Sequence, residues 1–280
     1  MKDDQPSSTA LGATTIRAVH QLIDDTPHIL EDPVSVRLLG EAVVRAIQDR
    51  PEEHRSLQAR GLRSHIVLRS RYAEDELYIA VGSGVTQFVN LGAGHDTLSA
   101  RQPEWARALK FVEVDHPASQ AAKIEAFKRA GITFPGNVEF VPLDLEVGNF
   151  PSALAKTSLD LSKPVFVACL GVLAYLRPET VEKVFRAVAT MPKGSRIVMA
   201  FAPRENRTES RGGASAAEKA AVHGEPWLTR FDPMELRQEL LNCGFSEVAF
   251  LSTDEAARRY YVGRSDLPAP RKVRLCIADA

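Results

Sequence analysis

The five residues Val165-Phe166-Val167-Ala168-Cys169 form an unbroken apolar run between Pro164 and Leu170-Gly171. A strand with one wet face alternates polar and apolar residues, so this run reads as a strand covered on both sides. Such strands belong to mostly parallel sheets whose crossovers are helices. Strand-like runs recur at Gln87–Leu91, Phe111–Val114, Val138–Val141, Arg196–Phe201, Glu247–Leu251 and Lys272–Ile277. Helix starts and stops lie between them. Pro178 and Asp232-Pro233 suit first turns, and Gly131 and Gly244 suit helix ends. The expected fold is α/β: a Rossmann-like, seven-stranded, mostly parallel, doubly wound sheet, its last two strands joined by a loop. The segment before Gln87 reads as helix. One helix is expected from Asp32-Pro33 to Pro51, and another from His54 to Val81 with a break or bend near Arg71-Tyr72. Residues 1–84 are thus expected to form a helical N-terminal cap. Residues 85–280 form the core, with a lid-like insert at 202–231 and the whole as one structural unit.

Composition narrows the function classes. The 35 Lys and Arg against 36 Asp and Glu leave a net charge of −1, which disfavours nucleic acid as the main partner. No apolar run approaches the roughly 20 residues that span a bilayer, and Met1–Thr9 is polar, so no membrane partner and a cytoplasmic location are expected. Cys169, Cys243 and Cys276 are scattered and read as small buried hydrophobes. His20, His28, His54, His65 and His223 lack paired ligand spacing, and no metal is expected.

In doubly wound sheets the ligand lies at the carboxyl ends of the strands. Here the first strand runs into Gly92-Ala93-Gly94, the second into Glu113 and Asp115, the third into Asp144 and the fourth into Leu170-Gly171. Glycines let a backbone approach a ligand closely, and an acidic group some 20 residues on suits paired ribose hydroxyls. Thr97 stands where a dinucleotide fingerprint has its third glycine, and no phosphate loop of the G-x-x-x-x-G-K-[ST] type occurs. A nucleoside without phosphates, such as S-adenosylmethionine, fits this set.

Asn90-Leu91-Gly92-Ala93-Gly94-His95-Asp96-Thr97 resembles the first motif of the leucine carboxyl methyltransferase family of class I S-adenosylmethionine-dependent methyltransferases. The bacterial branch with polyketide carboxyl O-methyltransferases is especially similar. Arg69-Ser70-Arg71-Tyr72-Ala73-Glu74-Asp75, Glu113-Val114-Asp115-His116-Pro117, Leu170–Leu176 and Gly224-Glu225-Pro226-Trp227 match it in order. The resemblance implies S-adenosyl-L-methionine as cofactor, with Gly92, Ala93 and Gly94 near its methionine part. Arg69 or Arg71 would bind its carboxylate, and the motif favours Arg69. Asp115, beside His116, would bind the ribose, and Asp144 with Leu145 the adenine. Leu170 stands where better-known members carry an acidic residue.

The resemblance also implies O-methylation, with a small-molecule carboxylate as the expected acceptor. A carboxylate is already ionised at neutral pH, whereas a hydroxyl acceptor needs a general base such as His95 or His116. Tyr72, His116, Tyr175 and Arg204 are candidates for the acceptor pocket, and Arg207 and Arg211 could also face an anion. Glu74 and Asp75 read as surface or capping groups, and Glu113 as structural. Methylation of a hydroxyl, methylation of a protein's terminal carboxylate and cofactor binding without methyl transfer remain alternatives. The sequence leaves the oligomeric state open.

Overall fold

The doubly apolar run lies near the middle of the sheet. In the computed structural model, which describes residues 8–204, 221 and 225–280, it gives strand β4 (Phe166–Leu170). Ahead of it come β1 (Gln87–Leu91), β2 (Lys110–Asp115) and β3 (Val138–Pro142); β5 (Arg196–Ala200), β6 (Glu247–Phe250) and β7 (Leu275–Asp279) follow. Their spatial order is β3-β2-β1-β4-β5-β7-β6. β7 alone runs against its neighbours, pairing antiparallel with both β5 and β6. The order reverses between β1 and β4, the switch point at which a parallel sheet opens a crevice at its carboxyl edge.

Each face of the sheet is closed by its own set of helices. On one face Val89, Val112, Val167, Cys169 and Ile197 pack with Phe185, Leu236 and Leu240 from helices Pro178–Ala189 and Pro233–Cys243. On the other, Phe88, Phe111, Phe166, Ala168 and Val198 pack with Val67, Leu68, Tyr72 and Leu77 of α4 (Leu57–Gly82). Phe88 stands beside both Phe111 and Phe166 in register, with ring centroids 5.5 and 6.2 Å away. All three cysteines are buried. Among the described residues no helix is long and apolar enough to cross a membrane.

Three expectations change. The stretch behind Asp32 is two helices, α2 (Pro33–Leu39) and α3 (Glu41–Asp49), because Gly40 between them takes φ +75°. α4 is continuous through Arg71-Tyr72: no proline interrupts it, and Arg71 pairs with Asp75 one turn on at 2.8 Å. A helix, Thr253–Tyr260, replaces the expected loop between β6 and β7. Ser252 caps it and Ala256 is its one buried residue, so its apolar signal is faint. The glycine turn after β1 leads only to the four-residue helix Leu98–Arg101, whose Leu98 amide is taken by Asp96 at 2.9 Å. Much of the expected insert, residues 205–220 and 222–224 with Arg207 and Arg211, lies outside the described residues. Its ends are joined, since the Arg204 amide donates to the Phe231 carbonyl at 3.0 Å and the Phe231 amide to that of Ala202 at 2.8 Å.

Ahead of the sheet, α1 (Ser8–Ile23) lies against α2 and α4. Buried ion pairs fix it: Arg17 to Asp32 at 2.9 Å, and Asp24 to Arg63 at 2.6 Å. His20 is fully buried, its Nδ1 2.8 Å from Asp24 and its Nε2 accepting the Ile29 amide at 3.1 Å. Nε2 is therefore unprotonated and the ring neutral, and burial lowers its pKa below the ordinary 6.5. The unfolded chain takes up a proton near pH 6.5 that the folded chain refuses, so this contribution to stability is lost as pH falls through that value. Urea denaturation between about pH 7 and pH 5 is expected to show a shallower loss of stability in His20→Gln than in the wild type, even though the variant is less stable at neutral pH. Parallel slopes would assign the pH dependence elsewhere.

Candidate active site

The crevice at the switch point begins with the turn after β1. The Gly92 amide continues the ladder to Val114 O at 2.7 Å, and the chain then bends through φ +69° at Gly92 and +48° at Gly94. Side chains rarely adopt such angles, and neighbours fill the space a side chain would need. A Cβ on Gly92 would lie 2.2 Å from Val172 Cγ2, and one on Gly94 3.0 Å from Ala10 Cβ. Ala93 between them is buried. Asp115, at the end of β2, braces the turn: Oδ2 accepts the Gly94 amide at 2.5 Å and Oδ1 accepts that of His116 at 2.7 Å. Burial raises the Asp115 pKa, while these two amides act in the opposite direction. Each oxygen keeps a further lone pair for a hydroxyl donor.

His116 caps helix Pro117–Arg129, its Nδ1 accepting the Ala118 amide at 3.3 Å. That leaves the Nε2 side facing Asp144 at 4.0 Å. Asp144 in turn accepts the Glu146 amide at 2.9 Å, and Leu145 packs partly into the core. The ends of β2 and β3 thus meet around His116 and Asp144.

Across the switch point Gly171 follows Leu170 with φ +77°, and the Arg69 guanidinium lies over it. A Cβ on Gly171 would stand 2.7 Å from Arg69 Nη1. Among the described residues Arg69 makes no ion pair. Burial takes its pKa down to about 10, Arg17 adding to the fall while Tyr175 and Asp96 oppose it. Tyr175 sits in the 3-10 turn Leu173–Tyr175 beyond β4, so Arg69, Gly171 and Tyr175 share one end of the sheet.

Arg71 points elsewhere. It pairs with Asp75, donates to Ile29 O at 3.0 Å, and borders a separate cleft of about 710 Å³ between residues 25–29 and 259–264. Tyr72 is buried under Arg259, which borders the same cleft. Arg204 pairs with Glu235 at the surface. Glu74, expected at the surface or as a cap, is instead half-buried and paired with Arg101, while Asp75 holds Arg71 and the Tyr260 hydroxyl. Glu113 is buried against Lys123 Nζ and Ser99 Oγ at 2.6 and 2.5 Å. Burial lowers His95 to about 4, helped by Lys123 and Arg17, so its ring is neutral at physiological pH. Among the described residues no cluster of three or more His, Cys, Asp or Glu is placed to hold a metal ion.

Sequence reasoning missed several neighbours. Arg17 reaches from α1 to His95 O at 2.7 Å, and Val172 and Ala10 wall the two glycines. Glu225 accepts the Thr9 hydroxyl at 2.5 Å. The signals for these were family resemblances: Leu170–Leu176, which holds Val172, the segment around Glu225, and Thr9-Ala10 at the start of α1.

A model of the leucine carboxyl methyltransferase family matches residues 10–189, which span α1, the glycine turn and the site up to the helix after β4. The chain belongs to this family. It is similar to a Bacillus subtilis (strain 168) protein named "Putative S-adenosyl-L-methionine-dependent methyltransferase YktD", with 30% identity covering 95% of each chain. Two crystal structures share the fold. One, from Thermobifida fusca and titled a "putative methyltransferase", has a TM-score of 0.56 and 18% identity over 99% of this chain and 95% of its own. The other, a DUF574 family protein from Streptomyces avermitilis, has a TM-score of 0.53 and 16% identity over 95% and 96%. As a leucine carboxyl methyltransferase family member the chain is an S-adenosylmethionine-dependent methyltransferase.

In this methyltransferase Gly92→Ala combines an unfavourable φ with a clash against Val172, and is expected to cost about 2–4 kcal/mol in urea denaturation. Adding Val172→Ala should restore part of the loss by removing the clash; no recovery in the double variant would assign the whole cost to the backbone.

Proposed function

We propose that this methyltransferase transfers a methyl group to a carboxylate oxygen of a small-molecule acceptor. S-adenosylmethionine, when bound, supplies an electrophilic methyl group on a sulfonium. The residues at the switch point fit such a group. Arg69 is a half-buried cation without a carboxylate partner among the described residues, suited to the methionine carboxylate. Gly92, Ala93 and Gly94 keep side chains out of the way of the methionine part, and Asp115 keeps lone pairs for the ribose hydroxyls. Asp144 and Leu145, with His116 beside them, suit the adenine, and Leu170 gives an apolar floor at the end of β4.

The observation that carries the acceptor class is that each proton-accepting group around the turn is either engaged with the backbone or a weak base. His116 Nδ1 is used in capping, both Asp115 oxygens hold backbone amides, and burial makes His95 a weak base. A carboxylate acceptor needs no proton removed, so its methylation asks mainly for alignment in line with the sulfonium. Hydroxyl transfer would need a proton removed either by His95, a buried weak base whose Nδ1 has no hydrogen-bond partner among the described residues, or by a group already engaged with the backbone.

Two measurements test this reading. By calorimetry, Arg69→Gln is expected to weaken binding of S-adenosylhomocysteine by about 10- to 100-fold, the worth of a lost charge-assisted hydrogen bond, while Arg71→Gln stays close to wild type. The reverse ranking would move the carboxylate site to the other arginine. In the second, cell extract is incubated with the enzyme and methyl-labelled cofactor, then treated with mild alkali. Carboxyl methyl esters release volatile labelled methanol, and this is the expected result. Label that survives alkali would mark an ether or amine product and reject the carboxylate acceptor.

A further inference from the structure

We infer that Thr9 and Glu225 form a clasp that holds the first turn of α1 over the glycine turn, and that cofactor release requires this clasp to open. The second half rests on the cofactor reading above. Glu225 is buried, and its Oε2 accepts the Thr9 hydroxyl at 2.5 Å across 216 residues of sequence. α1 carries no acidic residue in its own first turn. The Glu225 carboxylate thus supplies the negative charge that a helix start favours, and it does so from another part of the chain.

Both halves of the clasp are fixed at the site. On one side Ala10, next to Thr9, is the atom wall against Gly94. On the other, the segment carrying Glu225 is docked on the turn beyond β4. The Leu228 amide donates to Ala174 O at 2.6 Å and the Thr229 hydroxyl to Leu176 O at 2.5 Å. The pair therefore bridges the β1 side of the switch point to the β4 side. Two turns further along α1, Arg17 is anchored separately to Asp32 and His95 O. Loss of the clasp then loosens the start of α1, while Thr14 and Arg17 keep the rest of the helix on His95 O. Thr9 and Glu225 are positioning residues; neither acts on the reacting atoms.

The test uses the full chain with Thr9→Val, Thr9→Ser and Glu225→Ala. Without ligand, amides of residues 12–16 are expected to exchange hydrogen faster in Thr9→Val and Glu225→Ala than in wild type, with exchange in the sheet unchanged. Dissociation of S-adenosylhomocysteine, followed by stopped flow, is expected to quicken about tenfold in the same two variants, the fold-change of one lost hydrogen bond. Thr9→Ser keeps the hydroxyl and should match wild type in both assays. Unchanged exchange overturns the clasp, as does a serine variant that behaves like valine. Faster exchange with unchanged dissociation overturns its role in cofactor release. A wild-type chain that binds no S-adenosylhomocysteine defeats the cofactor reading and with it the coupling, and exchange then judges the clasp alone.

Discussion

The buried carboxylate of Asp32 is the point on which the arrangement of this methyltransferase turns. It is wholly excluded from water, yet it meets Arg17 of α1 at 2.9 Å and lies 3.9 Å from Arg101 in the short helix after the glycine turn. Its other oxygen accepts the Ser35 amide at the start of α2. Burial pushes its pKa up, but Arg17 and Arg101 bring it below the ordinary carboxylate value, so it stays charged. Arg101 continues the chain of charges to Glu74 on α4. Four elements that could otherwise slide over one another are thereby fixed to one small charged cluster. Removing one member of such a cluster leaves its partner charged in a dry interior, which costs about 3–5 kcal/mol.

The cluster serves the site through backbone atoms. Arg17 also holds the His95 carbonyl, so the helices ahead of the sheet set the path of the loop that follows Gly94. Asp115 holds the same loop from the other side through the Gly94 amide. The turn is thus clamped from two sides, by Arg17, itself anchored on the buried Asp32, and by Asp115. Rigid placement of this kind is what an in-line transfer asks of a protein.

Much of this was legible in the sequence, and the reasons for the rest are physical. β4 was visible because a strand covered on both faces loses its polar positions, β1 because it runs straight into the glycine turn, and Gly92 and Gly94 because positive φ selects glycine. Helix Thr253–Tyr260 was hidden because one buried alanine leaves no apolar stripe. α4 was expected to break or bend near Arg71-Tyr72 but continues through them, with Asp75 beside Arg71 and Arg259 over Tyr72. At the site, Arg69 and Arg71 are two residues apart on a helix, about 200° in rotation, so one faces Gly171 and the other the far cleft. Only the packing of α4 tells which is which. Val172, Ala10 and Glu225 lie tens to hundreds of residues from the atoms they touch, and no local pattern announces such contacts.

The reversed direction of β7 fixes where Ala280 lies. β7 ends beside the start of β5, with Asp279 2.5 Å from Arg196 and the Ala280 amide bonded to Ser195 O. That is the edge of the sheet away from the glycine turn, whereas α1 begins beside it. A tether or affinity handle joined after Ala280 departs from the face remote from the crevice.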